Sequence, residues 1–111
     1  MYKDDEVRLK HILDAVREAV GFIEGKDREN LETDRKLNLS LVRLLEIIGE
    51  AAKRITNDFR KEHPELPWKS MIGMKDRLIH GYFDINLDII WKTVKNDLPP
   101  LIDKIEKILA K

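Results

Sequence analysis

Residues 33–61, TDRKLNLSLVRLLEIIGEAAKRITNDFRK, place Leu37, Leu41, Leu44, Leu45, Ile48, Ala52, Ile55 and Phe59 on one stripe at steps of three and four residues. That period is the signature of an amphipathic helix with one buried face, and it predicts the longest helix of the chain over residues 33–61. The sequence His63-Pro64-Glu65-Leu66-Pro67 must stop it, because each proline disfavours the helical region for the residue before it and has no N–H to donate.

The same period recurs on either side of this stretch. Leu9, Ile12, Leu13, Val16, Val20 and Ile23 predict a first helix over about residues 4–24, which Gly25 is placed to end. Trp68, Met71, Ile72, Lys75, Leu78 and Ile79 predict a third helix that Gly81 closes near His80. Leu87, Ile90, Trp91 and Val94 predict a fourth, and Asp97 is placed to cap a fifth in which Pro99 or Pro100 fills the first turn and Leu101, Ile105 and Ile108 form the apolar side. No alternating strand pattern, repeat or low-complexity linker interrupts this order. The predicted fold is all-α, a single domain over residues 1–111 built as an up-and-down bundle of four to five helices.

Composition narrows the function. Lys plus Arg and Asp plus Glu both number 21, so the formal net charge is zero and no overall basic field draws nucleic acid to the chain. Any contact with nucleic acid has to be local. The absence of cysteine excludes disulfides, iron–sulfur clusters and thiolate zinc sites and fits a reducing, cytoplasmic setting. The N-terminus lacks a signal-peptide pattern and no apolar run is long enough to span a bilayer, so no membrane role is expected. His11, His63 and His80 show no paired metal-ligand spacing, and Gly49 and Gly73 sit alone inside helical patterns, where close helix packing explains them better than a phosphate loop. His11 reads as exposed, and Trp68, Met71, Met74 and Trp91 read as core.

Residues 73–83, GMKDRLIHGYF, gather two cations, a histidine and a tyrosine where a helix is expected to end. The negative end of that helix would favour an imidazolium at His80. Lys75 and His80 are five residues apart, about 140° around an ideal helix, whereas Arg77 and His80, three apart, share a face. Lysine and arginine near a helix C-terminus are also ordinary dipole partners, so composition alone leaves a plain solvated helix end open.

This segment resembles the signature of the HEPN superfamily, in its HepT-like branch, where an arginine, four residues, a histidine, one residue and a tyrosine follow one another. Pro67-Trp68, the string LEIIGEAA at residues 45–52 and Asp97-Leu98-Pro99 resemble the same branch. Lys75 stands at the arginine position, His80 and Tyr82 match, and Arg77 offers a guanidinium two residues later. The resemblance implies a ribonuclease toxin that needs no metal or cofactor and cuts RNA, not DNA, at the two-fold seam of a homodimer. In that scheme His80 serves as base and acid, and Lys75 or Arg77 stabilises the phosphate. It also implies a partner, a minimal nucleotidyltransferase antitoxin that adenylylates Tyr82. A second reading stays open, in which the chain is a catalytically weak module that binds this partner, since lysine lacks the planar fork that grips a phosphate through two hydrogen bonds.

Overall fold

The computed structural model describes residues 3–78 and 85–111. It is all-helical. The first helix, α1 (Lys3–Phe22), packs along α3 (Arg35–Arg54), with a short α2 (Asn30–Thr33) in the connection. Asp4, Val7, Arg8 and His11 lie beside Ile47, Glu50, Ala51 and Arg54, and Glu18 and Phe22 lie beside Leu39, Ser40 and Arg43, so the two long helices run antiparallel. Gly25, at φ +73°, takes the left-handed backbone that lets the chain turn after α1. Asp34 starts α3 by accepting the Leu37 N–H at 3.1 Å.

The long helix expected over residues 33–61 is divided. After Arg54 the backbone turns extended at Ile55 and Thr56, and a separate helix, α4 (Asn57–Glu62), begins. Asp5 makes this break. Its carboxylate, 2% exposed, accepts the Thr56 N–H at 2.9 Å and the Thr56 hydroxyl at 2.7 Å. The same hydroxyl oxygen accepts the Phe59 N–H at 3.3 Å and so caps α4. A buried carboxylate is tolerated because hydrogen-bond donors replace the water it loses.

The third helix is divided as well. Its parts are α5 (Trp68–Ile72) and α6 (Met74–Leu78), and Gly73 is the junction between them, not a helix-interior packing residue. Gly49 does have the packing role expected of it: a Cβ there would stand 3.2 Å from the Met71 carbonyl oxygen, closer than ordinary contact. Its missing side chain lets α5 approach the backbone of α3.

The last part of the chain runs as α7 (Leu87–Lys92), a π-turn (Thr93–Asp97) and α8 (Pro99–Leu109). Pro99 and Pro100 occupy the first turn of α8 as expected, but Asp97 is not its cap; Asp97 belongs to the π-turn, where the Leu98 N–H donates to the Thr93 carbonyl at 2.9 Å. Two prolines in succession remove two helical donors and crowd the carbonyls a turn earlier, which the wider turn relieves. Val94 and Pro99 lie beside Val20 of α1 and Ile23 of the turn that follows it, and Arg17 pairs with Glu106. The helix of residues 99–109 therefore runs back along α1.

Leu9, Ile12 and Val16 of α1, Leu41, Leu45 and Ile48 of α3, and Ile90, Val94, Leu98 and Ile105 of the last helices are fully buried in one core. Each such side chain stabilises the fold by about 1.5–3 kcal/mol relative to exposure. Among the described residues no helix is long and apolar enough to cross a membrane.

Candidate functional site

Two constraints set the position of the candidate segment. Pro67 leads into α5, and the Trp68 indole N–H donates to the His63 carbonyl at 2.8 Å, folding the proline-rich turn back on α5. Trp68, Met71 and Met74 are buried, as their spacing predicts, while Trp91 is half-buried with the Lys95 ammonium 5.4 Å from its ring centre. His11 is exposed, and the ring of half-buried His63 lies 4.5 Å from that of Phe59. Beyond Leu78, the Asn86 N–H donates to the Leu78 carbonyl at 2.9 Å, and the Asn86 side chain caps α7 through the Ile89 N–H at 3.1 Å. Leu78 and Asn86 thus tie together the two ends of the segment that carries His80 and Tyr82. His80, Gly81 and Tyr82 themselves lie outside the described residues.

The two cations of α6 do not meet. Two residues apart on a helix is about 200° of rotation, and the side chains leave on different sides. Lys75 faces α3, with its ammonium 3.8 Å from a Glu46 carboxylate oxygen, in a cleft it shares with Glu50, Lys53 and Asp76. Arg77 turns back across the Gly73 junction and donates to the Ser70 hydroxyl at 3.2 Å. There it lines a second cleft, together with Arg60, Lys61, Lys69 and the apolar surfaces of Pro67 and Trp68.

These surroundings differ electrostatically. Three carboxylates, those of Glu46, Glu50 and Asp76, lie around Lys75 and offset its charge toward an incoming anion. Among the described residues no carboxylate lines the cleft of Arg77, so its guanidinium is the better placed of the two to hold a phosphate. Sequence reasoning missed Glu46 as the partner of Lys75, since nothing local joins residues 46 and 75. It also missed Arg60, Lys61 and Lys69, whose one visible signal is the cation-rich flanks of the proline turn. Among the described residues no three His, Asp or Glu side chains are grouped to hold a metal ion.

Known proteins resemble this chain along most of its length. The family model described as "Ribonuclease HepT-like" matches residues 12–108. A "Probable ribonuclease HepT" from Thermococcus cleftensis is 46% identical, the match covering 89% of this chain and 94% of that protein. Two relatives with provisional RNase names follow. One, from Caldanaerobacter subterraneus, is 41% identical over 93% of this chain and 92% of its own; the other, from Methanocaldococcus jannaschii, is 36% identical over 94% and 95%. No solved structure matches.

Proposed function

We propose, from the premise that this chain belongs to the HepT-like ribonuclease family, that it is a metal-independent endoribonuclease acting as the toxin of a toxin–antitoxin pair. The observation that carries the reading is the family match over residues 12–108, which includes the whole of the GMKDRLIHGYF segment. In this proposal two chains form a homodimer in the cytoplasm, and each contributes one His80.

RNA suits such a site because it brings its own nucleophile. One His80 takes the proton of the 2′-hydroxyl as its oxygen bonds to phosphorus. The bond from phosphorus to the 5′-oxygen breaks, and the second His80 protonates that oxygen, leaving a cyclic phosphate and a free 5′-hydroxyl. A cation stabilises the charge gathered on the phosphoryl oxygens. Arg77, whose cleft is lined by no carboxylate among the described residues, is favoured over Lys75, which serves once the phosphate draws it from Glu46. DNA lacks the 2′-hydroxyl and is spared. A minimal nucleotidyltransferase antitoxin silences the enzyme by adenylylating Tyr82, adding phosphate charge and bulk two residues from His80.

The engagement of Lys75 by Glu46 also favours a second reading, a catalytically weak module whose role is to bind that partner. Cleavage of single-stranded RNA in EDTA, with a 2′-deoxy control at the cut site, separates the two. His80→Ala should lose about a hundredfold or more of the rate, and Lys75→Arg should hold or raise it. Light scattering should report a dimer, and adenylyl mass steps should vanish in Tyr82→Phe. If wild type and Lys75→Arg are both inert while the dimer binds the nucleotidyltransferase, the module reading stands.

A further inference from the structure

In a chain whose 21 cationic and 21 acidic residues cancel, a cleft with one sign of charge stands out. The groove between α1 and α3 mixes Asp4 and Glu50 with Arg8 and Arg54, and the cleft beside Lys75 mixes Lys53 with Glu50 and Asp76. The cleft bounded by α4, α5 and α6 differs from both. Arg60, Lys61, Lys69 and Arg77 line it, without a carboxylate among the described residues. The nearest acidic residue of the proline turn, Glu65, is engaged by His63 at 3.6 Å.

Its geometry adds to its charge. The cleft is an open groove of about 840 Å³, within the range of roughly 300–1,000 Å³ of sites for small organic ligands, which leaves room for a nucleotide unit. Its floor is apolar: Pro67 and Trp68 contribute carbon surface, and the one polar atom of the indole is already engaged by the His63 carbonyl. Arg60 is anchored by donating to the Lys53 carbonyl at 2.7 Å, while its buried Nε has no hydrogen-bond partner among the described residues. Lys61 and Lys69 are exposed at the rim. A cationic rim over an apolar floor suits a ligand that alternates phosphates with flat rings, which is the chemistry of single-stranded nucleic acid. Arg77 joins the cleft to α6, three residues ahead of His80 in the sequence.

We infer that this cleft is an RNA subsite that holds the single strand flanking the cut, with Lys61 and Lys69 on its backbone phosphates and a nucleotide over the Pro67–Trp68 floor. The identity of the strand rests on the ribonuclease reading; the binding chemistry does not.

The test measures binding apart from cleavage. His80→Ala protein is titrated into a fluorescein-labelled oligouridylate of about twelve nucleotides, and the dissociation constant is read by anisotropy across a salt series. Adding Lys61→Gln and Lys69→Gln together should weaken binding about tenfold and lower the slope of log affinity against log salt by about 1.4, roughly 0.7 for each phosphate no longer neutralised. Adding Lys104→Gln and Lys107→Gln instead, an equal charge change on the exposed side of α8, should leave affinity within about twofold. With His80 intact, the cleft pair should slow cleavage of the long oligonucleotide and spare a dinucleotide. Equal weakening by the two pairs overturns the inference, as does absence of RNA binding by His80→Ala protein. Unchanged affinity in the cleft pair also overturns it and assigns the cleft to an acidic protein partner. Failure of cleavage with cleft-dependent binding intact defeats the catalytic reading alone.

Discussion

The α1–α3 pair and the stretch from Ile55 to Leu78 are built on different principles. The pair consists of two continuous 20-residue helices sealed by leucine, isoleucine and valine. The later stretch is three helices of six, five and five residues, each too short to be stable on its burial stripe alone. Individual hydrogen bonds fix it instead: Thr56 with Asp5, the Trp68 indole with the His63 carbonyl, Arg77 with Ser70. Burial over a long face makes a scaffold that needs no particular polar group. Short elements, broken often, turn cations outward in several directions, and here they bear the two clefts that hold Lys75 and Arg77.

That contrast can be broken first at the core. Leu45, fully buried in α3, should cost about 2–5 kcal/mol when changed to alanine, read as a lower urea midpoint, while RNA affinity per folded molecule stays unchanged. A loss under about 1 kcal/mol would remove the pair from its role as scaffold. Next comes the polar joint. Thr56→Val removes the hydroxyl that donates to buried Asp5 and caps α4, leaving the backbone N–H in place, and should cost about 1–2 kcal/mol; Thr56→Ser should restore most of it. Equal stability of the valine and serine variants would mean that the break at Ile55 is held by packing alone.

The smallest effect concerns pH. The Glu65 carboxylate is held below the ordinary carboxylate range, chiefly by accepting its own backbone N–H and further by His63. A lowered folded-state pKa gives stability that is present above the unfolded value and lost as pH falls through the folded one. Glu65→Gln should therefore flatten slightly the fall in stability below about pH 4.5, with little change at pH 7, because the group is exposed and solvent screens it. A larger change at neutral pH than in acid would contradict that assignment.

The stripe over residues 33–61 shows what sequence could and could not reveal. All eight of its apolar residues are buried, including Ile55 and Phe59, which lie beyond the end of α3. Burial was legible because the hydrophobic period records which side faces the core. Continuity was not, because the break at Ile55 contains neither glycine nor proline and depends on Asp5, 51 residues distant from Thr56. The period likewise presents the third helix as one rod, although Gly73 divides it.

The motif itself was legible letter by letter, and the family match covers it. Its surroundings were not. Reading Lys75 and Arg77 as alternatives for one task ignores the roughly 200° between them, and the carboxylates that separate their environments come partly from α3. Arg28 illustrates the same limit: its guanidinium bonds Asp88 at 2.7 Å and holds its proton more tightly for it, across 60 residues of chain.

The π-turn at Thr93–Asp97 has a consequence for comparing this chain with others. It accommodates one residue more than an α-turn would, and each residue advances a helix by about 100°. Ile90 before it, Val94 within it, and Leu98, Leu101 and Ile105 after it all reach the core. In the language of alignment, the turn is where a one-residue gap belongs. A relative lacking that residue, paired straight through without a gap, would have its final helix compared on the wrong face, core position against surface position, down to the last residue.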